Sequence, residues 1–313
     1  MLTYLAKRLT LSLVVLALVL LLLFSMLHLI PGNPAILALG TRATPEAIAE
    51  YTARMGLDQP VPMQFLIYLG NALQGDLGAD VFSGRPVTQV IGERIGFSLA
   101  LIFAGMGWAV ALGIPLGCLA ALRPNSWIDR ITGVFSVGTI AIPSFLVSIW
   151  ALLIFALELR WLPAIGAGEP GDMADQLTHL ILPAFAIGLG WVGYLARMVR
   201  ASMLEVLSEP YIRSARAYGL PPRKVTAYAL QVAILPTITL IGMGFGGLIS
   251  AALFAEIIFA RPGVGKMIFD AVSDRNFPIV QGGVLVATAF YILVVLVSDL
   301  LIAWLDPRVR QSL

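Results

Sequence analysis

The chain has 313 residues, of which 59% are hydrophobic and 12% charged, with a mean hydropathy of +0.91. A soluble domain carries roughly 25% charged residues, so this is the composition of an integral membrane protein. A net charge of +2 offers no basic surface for nucleic acid. The single cysteine, Cys118, lies in an apolar run and excludes an intrachain disulfide or a cysteine-built metal site.

A membrane-spanning helix needs about 20 mostly apolar residues. Six stretches meet that need, at 9–30, 97–122, 131–157, 177–198, 227–258 and 279–305. The first follows Lys7 and Arg8, but its apolar run is longer than the core of a secretion signal and no small-x-small cleavage site follows, so it reads as an uncleaved anchor. Segment 31–96 reads as short amphipathic helices broken by turns. Thr44 before Pro45 marks a helix start, Glu46 suits a first turn and Gly56 a helix end. Turn chemistry at "DQPVP", "QGDLG" and "SGRPV" makes this segment a cap on the bundle rather than an independent domain. Segment 158–176 is acidic and rich in Gly and Pro, and a last segment off the membrane reads "ARPGVGKMIFDAVSDRNFP". The fold class expected is an all-α membrane protein of six transmembrane helices, a single domain over 1–313.

Lys and Arg accumulate in cytoplasmic loops. With the spans above, one side holds Lys7, Arg8, Arg123, Arg130, Arg197, Arg200, Arg213, Arg216, Arg223, Lys224, Arg308 and Arg310, against only Asp129, Glu205, Glu209 and Asp306. The other side is net acidic. Both termini and the loop 205–224 are therefore expected in the cytoplasm, and 31–96 outside.

Several motif matches fail on physical grounds. "GMGFGG" contains Gly242-x-Gly244-x-x-Gly247, a dinucleotide fingerprint, yet it lies within an apolar span and not between a strand and a helix. Gly242 with Gly246, and Gly113 with Gly117, read better as flat faces for close helix packing. "GVGK" at Gly263 to Lys266 resembles a phosphate loop, but Ala260 replaces its first glycine, Met267 its hydroxyl residue, and it falls on the outer side. His28 and His179 sit near span ends without metal-ligand spacing, and no nucleophile has a matching base. Asp299 stands out inside a span, where an ionisable side chain serves a substrate or proton, or pairs with another helix or water.

The informative loop is "EPYIRSARAYGLPPRKV", from Glu209. Ile212, Ala215, Ala217 and Leu220 are mixed with Arg213 and Arg216, giving a short helix with small residues on one face and cations on another. Gly219 can take the left-handed conformation that ends a helix, Leu220 follows, and Pro221 with Pro222 prevents continuation. The product expected is a rigid peg across the cytoplasmic surface; an ordinary basic loop attracted to anionic lipid is the plainer alternative.

Here the sequence resembles the inner-membrane permeases of ABC importers. Their cytoplasmic loop carries a Glu-Ala-Ala-x-x-x-Gly signature, matched by Arg213-Ser214-Ala215-Arg216-Ala217-Tyr218-Gly219 with Arg for the Glu and Ser for the first Ala. The "ARAxG" form and the long gap to Leu235-Pro236 resemble the dipeptide/oligopeptide/nickel branch, as do "PGNPA", "GLDQPVPMQF", "GDLG", "RPV", "IPSF", "LPA" and "PGVGKMIFDAVSDRNFPIVQG" in order along the chain. The long outer segment resembles that of the first permease of the pair. "GADVFSG" departs from the serine often found after "GDLG".

The resemblance implies a permease in the bacterial inner membrane with no nucleotide site of its own. Its partners would be a second homologous permease, making a heterodimer, two ATPase subunits that bind ATP and Mg, and an external solute-binding protein. Dipeptides or oligopeptides would be the cargo. Glu209, Arg213, Ser214, Ala215, Arg216, Ala217, Gly219 and Leu220 would form the coupling helix. An ion-coupled secondary carrier and a non-transporting membrane scaffold are the competing readings.

Overall fold

The computed structural model describes residues 2–29, 33–40, 43–55 and 57–305. Gly56, Pro31, Gly32, Asp306, Arg308 and Arg310 lie outside these, and the side chains of Lys7, Arg8, His28 and Asp299 lie outside the described set as well. Among the described residues the chain is helical. The helices are α1 Leu2–Leu29, α2 Pro34–Leu39, α3 Pro45–Met55, α4 Val61–Leu73, α5 Val87–Leu122, α6 Trp127–Ala141, α7 Ser144–Ala151, α8 Met173–Leu207, α9 Pro210–Ala217, α10 Pro222–Ala233, α11 Leu235–Ile258, α12 Val264–Ser273 and α13 Phe277–Leu305. A π-helical stretch, Leu152–Glu158, extends α7.

Among the described residues four helices are long and apolar enough to cross a membrane: Val87–Leu122, Met173–Leu207, Leu235–Ile258 and Phe277–Ser298. The pair Trp127–Ala141 and Ser144–Glu158 adds a fifth if counted as one span, and α1 contributes the apolar stretch Thr10–Ser25. Where the sequence predicts one straight span over 131–157, the chain bends by 98°. The cause is local. Pro143 lacks an N–H and disfavours the helical conformation of the residue before it, and Ile142 is extended, with φ −90° and ψ 121°. The predicted span 227–258 is likewise divided, between α10 and α11 near Pro236.

The chain forms two compact units, Met1–Ser98 with Pro262–Ile292, and Leu99–Arg261 with Leu293–Leu313. In the first, polar side chains start the short helices: Asn33 accepts the Ala35 N–H at 2.9 Å and Thr44 that of Ala47 at 3.2 Å. Phe24 of α1 meets Phe65 and Tyr68 of α4, with ring centroids 5.5 and 5.9 Å apart. A core of Val87, Ile91, Val264, Met267, Ala271 and Ile279 joins α5, α12 and α13.

The turn between α4 and α5 is organised by carboxylates. Asp76 accepts the Gly78 N–H, and Asp80 accepts hydrogen bonds from the Phe82 and Ser83 N–H groups, the Ser83 hydroxyl and the Asn276 amide. The Asp80–Asn276 bond ties "GADVFSG" to "NFP", one loop to the other. Burial works to raise the Asp80 pKa, but the hydrogen bonds from Ser83, Asn276 and the two backbone N–H groups outweigh it and hold the carboxyl below its usual range.

In the second unit α8 is the central helix, packed against α6, α7, α10 and α11. Glycines let it approach α5. A Cβ on Gly113 would meet the Leu195 Cβ at 2.8 Å, and one on Gly117 the Ala196 carbonyl at 2.5 Å. The expected Gly113/Gly117 face is thus a helix contact. On α11 the glycines serve close packing as well. Gly242 abuts Ser298, while Gly244 and Gly247 approach Trp191, Gly244 meeting Met106 as well.

Candidate functional site

The loop after α8 lies wholly in the second unit. Its helix α9 begins at Pro210, whose fixed φ and missing N–H suit a first helical position. The carbonyl of Glu209 accepts the N–H groups of Ile212 and Arg213 at 3.1 and 3.2 Å, while its side chain makes no capping bond. The Ser214 hydroxyl donates back to the Pro210 carbonyl at 3.1 Å.

The C-terminal end is a complete Schellman turn. The Leu220 N–H donates to the Ala215 carbonyl at 3.2 Å and the Gly219 N–H to that of Arg216 at 3.0 Å. Gly219 is left-handed, with φ +76°, and a Cβ built there would touch nothing within 4 Å. Glycine is therefore needed for its backbone conformation, not for space. Leu220 and Ala215, both half-buried, occupy the positions whose apolar contact accompanies this turn.

Two alternating helical turns do not hold a position by themselves. The anchor is Ile212, fully buried in a cluster with Ala121 of α5, Val199, Met203 and Val206 of α8, and Val225, Ala229 and Ala233 of α10. The α5–α6 turn is fixed at the same helix by a bidentate ion pair. Arg200 Nε and Nη2 donate to the two carboxylate oxygens of Asp129, the second at 2.8 Å, and Asp129 also accepts the Asn125 N–H at 2.9 Å. Arg213, Ser214, Arg216, Ala217 and Gly219 remain exposed. The structure thus brings Glu209 to Leu220 into one presented element.

Sequence reasoning missed three features. Ile212 carries the anchoring, because an eight-residue pattern does not reveal which apolar residue turns inward. Tyr218, in the capping position, is 86% exposed. Glu256 stands inside α11 and is fully buried, so Asp299 is not alone among ionisable groups in a span. Glu256 interacts electrostatically with Arg261, itself 3% exposed, across a second Schellman turn in which Arg261 N–H donates to the Glu256 carbonyl at 2.8 Å. Asp299 has its backbone in α13, with its side chain outside the described set. Among the described residues no cluster of three or more His, Cys, Asp or Glu side chains could hold a metal ion.

Comparison with known proteins agrees with this architecture. Residues 113–311 match the family described as binding-protein-dependent transport system inner membrane component, and residues 1–91 its N-terminal membrane component. A glutathione transport system permease protein of Pectobacterium atrosepticum is 38% identical over the full length of both chains. A dipeptide transport system permease protein of Alkalihalophilus pseudofirmus is 35% identical over 99% of this chain and 100% of its own length. A probable peptide ABC transporter permease protein of Sinorhizobium fredii is 35% identical over 98% of this chain. The inward-facing MetNI methionine ABC transporter shares the fold, with a TM-score of 0.56 at 16% identity over 70% of this chain and 97% of that one.

The molecule is a multi-pass membrane permease, one component of a larger transport system. It belongs to the family of binding-protein-dependent transport system inner membrane components, the permease subunits of ABC importers.

Proposed function

We propose that this permease takes up small peptides across the bacterial inner membrane, and that α9 with its flanking residues Glu209 to Leu220 couples it to ATP hydrolysis on a separate subunit. The observation that carries the coupling assignment is the construction of α9, a capped helix wedged by Ile212 against the ends of α5, α8 and α10 yet exposed along its polar side. Force applied to such an element is passed to three helices at once.

Two ATPase subunits, each holding ATP and Mg, would press on this helix as they close. A second, homologous permease would complete the translocation path as a heterodimer, and an external binding protein would deliver cargo to the outer cap formed by 31–96. Both termini and the loop 205–224 would face the cytoplasm, in accord with the distribution of Lys and Arg. Peptide is the cargo class supported by the relatives named for dipeptide, peptide and glutathione transport. Arg213 and Arg216 would supply the electrostatic attraction to the ATPase, and Ala215 and Ala217 the close contact.

The test is co-purification from the native host in mild detergent, with wild type and Gly219→Leu compared by mass spectrometry. The expected result is an ATPase and a second permease recovered with wild type, the ATPase weakened by the substitution. Recovery of the chain alone in both cases would overturn the reading and favour a self-sufficient carrier.

A further inference from the structure

Helix α9 presents two chemically different edges. At about 3.6 residues per turn, Tyr211 and Tyr218, seven residues apart, share one edge, while Arg213 and Arg216, three apart, share the other. Ser214 and Ala217 form the crest between them, opposite the buried Ile212. Tyr211 is 48% exposed and Tyr218 86% exposed. A phenol ring so far out of the fold contributes nothing to packing within the chain, and Tyr and Arg are the residues that dominate binding energy when a partner desolvates them.

Resting on the coupling assignment above, we infer that Tyr218, backed by Tyr211, is the aromatic anchor of the ATPase contact, filling an apolar pocket on one wall of the partner's groove while a carboxylate-bearing opposite wall receives Arg213 and Arg216. Charge complementarity selects this occupant. Within 205–224 the sequence carries Arg213, Arg216, Arg223 and Lys224, all exposed, against the acids Glu205 and Glu209. A membrane surface fits less well. An amphipathic helix enters a bilayer by its apolar face, and the apolar face of α9 is already occupied by its own protein through Ile212. The small crest residues permit the backbone approach that a groove requires, and the two edges set which way round the helix can lie in it.

The test uses the full chain with its second permease in lipid nanodiscs and titrates purified ATPase subunit against it. Tyr218→Ala is expected to weaken binding by roughly 30-fold, the scale of an interface hot spot, while Tyr218→Phe stays within about threefold because the ring is kept. Arg213→Glu with Arg216→Glu should weaken binding and reduce its salt dependence. Since Tyr218 is exposed, these changes leave the fold intact, which hydrogen exchange over 173–233 would verify. Unchanged affinity in Tyr218→Ala overturns the anchor. If Gly219→Leu still disrupts the ATPase contact in that case, only the anchor fails; if neither variant acts, the coupling assignment fails with it. A fluorophore on Tyr218→Cys, in a Cys118→Ser background, that is quenched by brominated lipid with the ATPase bound would also overturn the inference in favour of a lipid contact.

Discussion

Replacing Ile212 by alanine is expected to release α9 without unfolding the bundle. The side chain is fully buried among residues of three other helices. Three carbon atoms are lost, worth about 0.8 kcal/mol each, and the cavity left behind adds to this, within the roughly 2–5 kcal/mol measured for such truncations. A helix of eight residues has little stability of its own, so the loss falls on α9 and not on α8, which keeps its contacts with α6, α7 and α11. A local cost of about 2–3 kcal/mol corresponds to a roughly 30- to 150-fold faster amide exchange through local opening. Hydrogen exchange by mass spectrometry in nanodiscs would read it: peptides covering 208–220 accelerate, those covering 177–198 do not. Ile212→Val should cost only about 1 kcal/mol. Exchange in α9 unchanged by Ile212→Ala would refute the anchoring argument, and uniform acceleration through α8 would show that the helix is not a separable element.

Three further outcomes follow from the geometry. Gly117→Val forces a side chain onto the Ala196 carbonyl and should lower the thermal midpoint, whereas Gly107→Val, with nothing within 4 Å, should not; equal effects would remove the helix-contact explanation. Ala260→Gly relieves a left-handed alanine at φ +47°, a strain of about 1 kcal/mol, and should raise the midpoint, a fall being the contrary result. The Asp80 turn depends on pH with a definite sign. Because its folded pKa is lowered, its contribution is complete above the unfolded value of about 3.9 and is lost as pH falls through the folded value below that. Limited proteolysis within 75–87 by an acid protease should rise across that range in wild type, and Asp80→Asn should be susceptible throughout it.

The peg after the fourth span was legible because its signals are chemical: Gly219 at a left-handed position, and Pro221 with Pro222 as stops. Elsewhere the same turn is built without such signals. The ends of α11 and α12 use identical hydrogen-bond patterns around Ala260 and Arg275, both left-handed. At the α12 turn a tertiary contact, Asn276 with Asp80, accompanies the left-handed residue, while at the α11 turn the accompanying attraction, Glu256 with Arg261, spans the turn itself. No glycine announces either turn. The 98° bend was visible only as "IPSF", since Pro143 marks a break but not its angle. The inward turn of Ile212 was hidden because α9 is too short for periodicity to fix its phase, and burial there depends on α8 and α10, far along the chain. The packing glycines on α5 were readable from their spacing, but Gly244 gave no such hint, because its partners, Met106 and Trp191, come from two different helices.

The most direct measurement follows ATP hydrolysis and peptide uptake side by side in vesicles holding the full transporter, with wild type and Gly219→Leu. A side chain at φ +76° meets no atom of this chain but carries about 1–2 kcal/mol of backbone strain, so the turn that sets the end of α9 is lost while the bundle stays intact. Hydrolysis that continues while uptake falls is the result the coupling assignment predicts. Uptake at the wild-type rate, with hydrolysis equally unchanged, would contradict it.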